Sequence, residues 1–459
     1  MKTTFVGRAA AARITRPCVL AVLAAAAGTA SGQFRSITES DVIAPQLPRS
    51  SSFGVEIVAL DDTTLAVTSA GLTIDSRFDP GVILHDLATN TQPVKFTRTL
   101  PAGGVAQDFF ARRPNVYTNG RAFLNARYID FPVATFTGGT YVYDMATGAQ
   151  LFTILPADAL GGFEIFAGIG PNVFGGFGST DGNYYYTVHD SATGAEIDRF
   201  TLADYPQITD DFIFFHAVHD GDLLFSSLEP AGRVIHRIDG TTLAYERSFA
   251  LPDPADTRRP RVSISGDLML VVQTDNAQPV DSMPGIAYIY DATTDTVLQT
   301  LQPSISRIAD FFGQTSNLNE NYAVITSRLW SGDDPDTCHV FDVATGEEVA
   351  ELSMSDLNES GVLNGGIALV GNTAYVGNAG SSAGGTNPPD RGGAVYAFDL
   401  DEITASRADT NADGMLAPND FTAWIFAFNA SGFACDQNGD RECTPADFNA
   451  WVLNFNAGC

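Results

Sequence analysis

The residues best suited to chemistry lie near the C-terminal end of this 459-residue chain. Oxygen-bearing side chains occupy every second position in DTNAD, from Asp409, and in DQNGD, from Asp436. Calcium takes six to eight oxygens from such a curled loop, including a backbone carbonyl at position 7 and a carboxylate at position 12. The pattern therefore predicts two calcium sites, with Asx-turns that bind no metal as the alternative. The candidate ligands are Asp409, Asn411, Asp413, Met415 and Asp420 in the first loop, and Asp436, Asn438, Asp440, Glu442 and Asp447 in the second.

The two loops belong to an internal duplication. Aligned at an offset of 27 residues, the stretches from Asp409 and Asp436 are identical at 11 of 22 positions, where about one chance match is expected. Apolar residues after each loop recur at helical spacing. They are Phe421, Trp424, Ile425 and Phe428 in the first copy, and Phe448, Trp451, Val452 and Phe455 in the second. Two loop–helix units are predicted, packed through Phe421, Trp424 and Phe428 against Phe448, Trp451 and Phe455.

The two calcium loops are not equivalent in sequence. Position 6 makes a sharp turn that favours glycine, and it holds Gly414 in the first loop but Arg441 in the second. A positive φ at a residue other than glycine costs about 1–2 kcal/mol, so we expect the second site to be weaker. Cys435 and Cys443 flank this loop, and a disulfide between them would pre-close it. The four cysteines beyond residue 32 allow three pairings, and the sequence does not choose among them.

The N-terminal residues predict export. Residues 1–32 combine four basic residues, an apolar run VLAVLAAAAG and a small-residue stretch, which is the pattern of a secretory signal peptide. No later segment is a plausible membrane helix, so we expect an extracellular or cell-surface protein. The remaining 21 basic and 54 acidic residues give a charge of −33. Such a surface disfavours nucleic acid and anionic lipid, which are bound by clustered Lys and Arg.

The middle of the chain is a β-rich repeat array. An apolar strand ending in Asp recurs seven times, at Asp86, Asp144, Asp190, Asp239, Asp291, Asp342 and Asp399, spaced 46 to 58 residues apart. Six copies continue with x-x-Thr, which suits a tight hairpin turn capped by the carboxylate. About four short strands per unit is the period of a propeller blade. The predicted fold is mainly β: a seven-bladed β-propeller over residues 33–405, followed by a small all-α calcium-binding module over residues 406–459. A repeated two-sheet sandwich is the alternative.

Ring closure is predicted to involve the N-terminal segment. The seventh unit lacks a local outer strand, whereas the stretch FRSITESDVIAP, residues 34–45, has no blade of its own. We expect this stretch to pair into blade seven, because that removes an open sheet edge.

Two family resemblances follow from these motifs. The blade sequence ADFFGQTSNLNENYAVITSRLWSGDDPDTCHVFDVATGEEVAEL resembles FG-GAP-like and quinoprotein-type propeller repeats. Two loop–helix units with Asp at position 12 and no helix before each loop resemble a type I dockerin. The closing NFNAGC is similar to the GC-type dockerin-anchored bacterial proteins. That resemblance implies a cohesin-like or cell-surface anchoring partner for the tail, and an attachment role for the terminal Cys459.

No catalytic constellation is evident in the sequence. Four histidines, His85, His189, His236 and His339, precede a blade aspartate within its strand, which indicates a repeated packing position. His216 and His219 are spaced to face opposite sides of a strand, which disfavours a shared metal ion. Two hypotheses remain: a non-catalytic exported propeller that binds a glycan or protein, or a glycoside hydrolase or polysaccharide lyase carried on the same tail.

Overall fold

The computed structural model describes residues 35–43, 53–69, 81–97, 107–110, 115–130, 135–209, 213–253, 258–273, 285–303, 312–327, 337–353, 365–378, 393–404, 408, 410, 416–430, 435, 437 and 443–457. Within these residues the strands form seven separate sheets. The predicted signal peptide lies outside them. None of the described helices is long and apolar enough to cross a membrane.

Two N-terminal strands, β1 (Arg35–Thr38) and β2 (Asp41–Ile43), precede the first complete blade. Blade one contains β3 (Phe53–Asp61), β4 (Thr64–Ser69), β5 (Gly81–Asp86) and β6 (Thr91–Thr97). Blade two contains β7 (Gln107–Phe110), β8 (Val116–Thr118), β9 (Arg121–Asp130), β10 (Thr135–Asp144) and β11 (Gln150–Ile154). Blade three contains β12 (Ala159–Ile169), β13 (Asn172–Ser179), β14 (Tyr184–Asp190) and β15 (Glu196–Phe200).

Blade four follows a 3-10 turn, Leu202–Asp204, and contains β16 (Phe214–His219), β17 (Asp222–Glu229), β18 (Gly232–Asp239) and β19 (Tyr245–Ala250). Blade five contains β20 (Pro260–Ser265), β21 (Leu268–Gln273), β22 (Ile286–Asp291) and β23 (Thr296–Leu301). Blade six contains β24 (Ser316–Leu318), β25 (Tyr322–Ser327), β26 (Thr337–Asp342) and β27 (Glu348–Ser353). Blade seven contains β28 (Ile367–Val370), β29 (Thr373–Asn378) and β30 (Ala394–Asp399). Three helices follow: α1 (Asp401–Thr404), α2 (Pro418–Ala430) and α3 (Pro445–Ala457).

The hydrophobic core is divided among the junctions between blades. Each of seven buried clusters draws its side chains from two neighbouring blades, and the last joins blade seven to blade one. In that last cluster Ile57, Leu65 and Val67 of blade one pack with Ala368 and Val395 of blade seven. A single four-stranded sheet exposes two apolar faces, so each blade is stabilised only when neighbours cover both. The ring of seven clusters confirms the predicted seven-bladed propeller and excludes the sandwich alternative.

The predicted aspartate turns are present in the structure. In the six hairpins with x-x-Thr, the Asp carboxylate accepts the backbone N–H of that Thr at 2.5–2.9 Å. In blade seven, which lacks the Thr, Asp399 accepts the N–H of Asp401 at 3.0 Å. The residue after each of the seven aspartates also donates its N–H to a carbonyl in the turn that directly precedes the neighbouring strand on the inner side of the same blade. These bonds tie the two turns of each blade together at one end of the propeller.

The ring closes through the N-terminal strands, in an arrangement wider than predicted. Strand β2 pairs antiparallel with β30 and becomes the outer strand of blade seven, which confirms the expected exchange. Strand β1 instead pairs parallel with β27 and adds a fifth strand to blade six. The prediction that residues 34–45 pair into blade seven alone was therefore wrong for the first half of that stretch. The segment bridges two blades because β27 leaves an open edge that β1 can cover.

The junction of blades seven and one requires glycine. Gly54 has a φ of +86°, and its carbonyl accepts the N–H of Gly366 at 2.9 Å. A Cβ added at Gly377 would lie 1.9 Å from the carbonyl oxygen of Gly54. Backbone atoms cannot yield as a flexible side chain can, so this junction admits no side chain at position 377.

Replacing Gly377 with alanine should open this junction. We expect Gly377→Ala to lower the free energy of unfolding by about 1–3 kcal/mol, the usual cost of overpacking. Gly178→Ala is the matched control, because Gly178 also lies in a strand but an added Cβ there meets nothing within 4 Å. Urea unfolding monitored by circular dichroism measures both variants. Equal stability of the two variants would contradict a glycine-dependent closure.

The hairpin aspartates should make stability depend on acid pH. Hydrogen bonds from the threonine hydroxyl and N–H lower the pKa of Asp86, Asp144 and Asp190 from its usual value. A carboxylate with a lowered folded-state pKa stabilises the protein above its unfolded pKa and loses that contribution as the pH falls through the folded value. We therefore expect stability to fall below about pH 4. The triple Asp→Asn variant at these positions keeps an acceptor oxygen but does not titrate, so its urea midpoint should fall less between pH 5 and pH 3. Parallel pH profiles would disprove the link.

Candidate functional site

The two C-terminal helices pack through the duplicated aromatic residues. The ring centroid of Phe421 lies 5.7 Å from that of Phe448 and 5.0 Å from that of Trp451. Trp424 and Trp451 are buried, whereas Phe421, Phe428 and Phe455 are partly buried around them. The predicted helix pairing is thus confirmed. Two residues at the predicted apolar spacing, Ile425 and Phe448, are each 41% exposed.

Each tryptophan also contacts the start of the other loop. The indole N–H of Trp424, in α2, donates to the carbonyl of Cys435 at 3.0 Å. The indole N–H of Trp451, in α3, donates to the carbonyl of Ala408 at 3.1 Å. Cys435 and Ala408 immediately precede the first candidate ligands, Asp436 and Asp409. The duplication has therefore produced a reciprocal pair, in which each helix holds the entry of the opposite loop.

Of the ten candidate calcium ligands, only Asp420 and Asp447 are among the described residues; the other eight, together with Gly414, Arg441 and Cys459, lie outside them. Both carboxylates are fully buried. One oxygen of Asp447 accepts the N–H of Thr444 at 2.7 Å, at the start of α3. Its other oxygen accepts the N–H of Gln437 at 2.9 Å, in the second loop. Asp420 likewise accepts the N–H of Ala417 at 2.7 Å.

The position of these carboxylates fits a calcium ligand set. A buried anion is stable only when other groups compensate its charge. The Asp447 carboxylate bonds Gln437, the residue beside Asp436, which is the first candidate ligand of its loop. A carboxylate oxygen has more than one acceptor site, so the hydrogen bonds to backbone N–H groups leave capacity for a cation. Oxygen donors of this kind are those that calcium prefers.

A disulfide joins Cys435 to Cys443 across the second loop, with 5.7 Å between their Cα atoms. Cys338, in blade six, is a buried free thiol, and burial raises its pKa above the usual range. A buried thiol with a raised pKa is a poor nucleophile. Cys338 therefore serves packing rather than chemistry.

The strand histidines take part in buried hydrogen-bond networks. In blade four, His236 contacts the hydroxyls of Ser227, at 2.7 Å, and Tyr245, at 3.1 Å. In blade six, His339 contacts the hydroxyl of Ser327 at 3.0 Å and the carboxylate of Glu348 at 2.5 Å. The second set has the order of a nucleophilic triad, but its serine is only 2% exposed. Recurrence of the serine–histidine pair in two blades indicates a bond between strands rather than an active site.

His216 and His219 have different surroundings. His216 contacts the hydroxyl of Ser226 at 2.7 Å, whereas His219 lies 3.4 Å from a guanidinium nitrogen of Arg237. Arg237 is itself buried and pairs with Asp295 at 2.6 Å. The two histidines therefore belong to different hydrogen-bond networks.

Two acidic groupings arise elsewhere within the described residues: His339 with Glu348 and Glu351, and Asp222 with Asp239 and Glu246. Both ring nitrogens of His339 already have hydrogen-bond partners. In the second grouping, Asp222 lies 3.5 Å from Arg237, which supplies positive charge without a metal. We assign neither grouping to a metal site.

A cationic grouping lies where blades four and five meet, and sequence analysis missed it. The innermost strands β16 and β20 begin there. The guanidinium carbon of Arg259 is 3.5 Å from the ring centroid of Phe214, and the Nε of Arg233 donates to the carbonyl of Arg258 at 3.2 Å. Arg261 follows within β20. The sequence signal was RRPR at residues 258–261, a rare run in a chain with 25 basic and 54 acidic residues.

We call this grouping, which consists of His216, Arg233, Arg259 and Arg261, the channel-mouth cluster. Its three arginines determine its electrostatics. Burial lowers the pKa of His216 to about 3, and Arg259, Arg233 and Arg261 lower it further in the same direction. Burial, and then Arg261 and Arg233, lower the pKa of Arg259 to about 10. His216 is thus neutral at neutral pH, while the arginines remain charged.

No family model and no curated protein matches the chain. Among solved structures, BamB from Moraxella catarrhalis is 14% identical, with 79% of this chain and 99% of that chain covered and a TM-score of 0.39. The Cps50 (Swd1) β-propeller domain of Myceliophteria thermophila is 13% identical, with 79% and 99% covered and a TM-score of 0.47. The topology itself defines the class: a mainly β seven-bladed propeller followed by two short helices, a fold commonly used as a ligand-binding scaffold.

The reciprocal indole bonds should stabilise the tail equally. Replacing Trp424 or Trp451 with phenylalanine keeps most of the aromatic packing but leaves a buried carbonyl without its donor, at a cost of about 1–3 kcal/mol. We expect both variants to accelerate hydrogen exchange in α2 and α3 together, because each bond joins one helix to the opposite loop. Hydrogen exchange of the full chain, read by mass spectrometry, measures this. Faster exchange in only the mutated helix would refute the reciprocal arrangement.

Proposed function

We propose that this chain is an exported, non-catalytic β-propeller that binds a glycan or protein ligand and is displayed through a calcium-dependent, dockerin-like tail. The observation that supports it most is the duplicated tail, in which buried Asp420 and Asp447 and the reciprocal tryptophan bonds converge on the two candidate loops. Ligand binding by the propeller is supported by the fold class and by the charged grouping at its channel mouth.

Calcium would be held by the two loops. Asp409, Asn411, Asp413, the Met415 carbonyl and Asp420 would supply the first set, and Asp436, Asn438, Asp440, the Glu442 carbonyl and Asp447 the second. When bound, the ion supplies free energy that a module of about 50 residues does not gain from its small core. In the second loop, the chain's own contribution is to bring position 12, Asp447 at the start of α3, back to Gln437 near the beginning of the loop. The disulfide Cys435–Cys443 limits the opening of the second loop, where Arg441 disfavours the turn.

The tail also presents a duplicated apolar surface. Phe426 is 79% exposed and Leu453 is 70% exposed, and the two positions correspond under the 27-residue offset. Large exposed apolar side chains at equivalent positions are suited to contact with another protein. This surface supports a cohesin-like or cell-surface partner for the tail.

The tail and the propeller should respond differently to chelation. Full-length protein is bound to an immobilised polysaccharide or protein ligand. Its retention on that ligand and its hydrogen exchange are then measured with calcium and with a chelator. We expect chelation to accelerate hydrogen exchange in residues 416–457, while hydrogen exchange in the blades and retention on the ligand stay unchanged.

Asp420→Asn and Asp447→Asn should mimic the chelator, because each removes one ligand charge. Arg441→Gly should raise the affinity of the second site about tenfold.

Two results would count against the proposal. Identical exchange in the tail with and without chelator would remove the calcium dependence. Turnover of a bound polysaccharide, detected as new reducing ends or unsaturated products, would replace the binding role with an enzymatic one.

A further inference from the structure

The channel-mouth cluster concentrates positive charge in a strongly acidic protein. Arg233 is buried, whereas Arg259 and Arg261 are exposed as whole residues. The guanidinium end of Arg259 is nevertheless desolvated, because it packs on the ring of Phe214. All three arginines lie close enough to His216 to lower its pKa. Burial, and then the charges of Arg261 and Arg233, lower the pKa of Arg259, which means that the charged form of its guanidinium group is destabilised at this place. Clustered guanidinium groups that repel one another are stabilised by an anion bound between them. This end of the channel is therefore suited to a negatively charged group.

Phe214 prepares Arg259 for such a group. A ring centroid 3.5 Å from the guanidinium carbon is within cation–π distance. The ring attracts the cation through its quadrupole rather than through an oxygen, so the contact positions the guanidinium and leaves its N–H donors able to bond an anion. Guanidinium groups match the two oxygens of a planar anion such as carboxylate, and they also bind tetrahedral oxyanions.

His216 contributes a neutral polar group. Its pKa of about 3 keeps the imidazole uncharged at neutral pH, and one ring nitrogen is already fixed by Ser226. A neutral imidazole beside charged arginines suits a ligand that carries hydroxyl groups next to its anionic group. Sugars have this combination of groups.

The rest of the protein restricts the kind of anion. The formal net charge is −29, and charges in salt solution act over about 8 Å. A dense polyanion would extend beyond the cluster into negative potential and be repelled. A polysaccharide with separated anionic units would place one such unit at the cluster.

We propose that the channel-mouth cluster binds an anionic sugar unit of a polysaccharide, with its carboxylate or sulfate group held by Arg259 and Arg261. This inference rests on the proposed glycan-binding role of the propeller. It specifies the class of glycan and the residues that select it.

Calorimetric titration of the full-length protein tests the inference with matched probes. The probes are a neutral oligosaccharide that carries one galacturonate unit, the methyl ester of that unit, and an oligosaccharide of equal length that carries one sulfate group instead. We expect an anionic probe to bind at least about tenfold more tightly than the ester, the effect of one or two charge-assisted hydrogen bonds. The anionic probe that binds more tightly identifies the recognised group as a carboxylate or a sulfate. Raising the salt concentration should weaken that binding.

Variants separate the cluster from general charge effects. Arg259→Gln and Arg261→Gln should each weaken binding of the anionic probe about tenfold and leave the ester unchanged. The affinity of Arg259→Lys for the anionic probe should lie between the affinities of wild type and Arg259→Gln. Lysine keeps the positive charge but lacks the planar guanidinium group that bonds two oxygens at once. Arg247→Gln is the matched control: Arg247 lies in β19, the outer strand of blade four, its side chain is 46% exposed, and its loss changes the net charge equally. Thermal melts of every variant verify that the blades remain folded.

The failures are distinguishable. Equal affinity for the anionic and esterified probes, unchanged in Arg259→Gln, would overturn the inference and leave glycan binding intact. Failure of the wild type to bind any polysaccharide tested would overturn the glycan role itself. Binding of an acidic peptide that depends on Arg259, without binding of the anionic sugars, would show that the cluster recognises a protein instead.

Discussion

The burial of both faces of every blade is the constraint on which the rest of this structure depends. Each sheet contributes to two of the seven interblade clusters, so no blade has a complete core of its own. Removal of one junction would expose an apolar face on two blades at once. The closure between blades seven and one therefore matters more than any single contact inside a blade. It is achieved by β2 at the outer edge and by direct approach of glycine backbones at the inner edge.

The two ends of the propeller have different roles. At one end, six blades repeat the aspartate-capped hairpin and all seven repeat the same turn-to-turn hydrogen bond, and such repetition favours uniform geometry. The channel-mouth cluster lies where the innermost strands β16 and β20 begin, and there the sequences of neighbouring blades diverge. A rigid repeated frame lets residues from separate blades, such as Phe214 and Arg259, meet at a fixed distance.

The tail reaches a comparable closure with far fewer residues. A single loop and helix has too little apolar surface to form a core, so two copies share one. Each copy supplies a tryptophan whose ring fills the shared core and whose indole N–H holds the loop of the other copy. Each helix is therefore linked to the loop of the other copy as well as to its own.

The sequence by itself determined the local features of this protein. The repeat of the blade aspartates predicted seven blades, and Asp-x-x-Thr predicted the hairpins, because the bonding groups lie within three residues of each other. The periodic aromatic residues predicted the helix pair for the same reason. What only the tertiary structure decided involves residues far apart in the chain. Strand β1 joined blade six because an edge was open there, Gly377 met Gly54 across the closure, and Arg259 reached Phe214 between two blades. Such contacts depend on strand register and on the angle between neighbouring sheets. These are set by packing over the whole ring, and no short stretch of sequence encodes them.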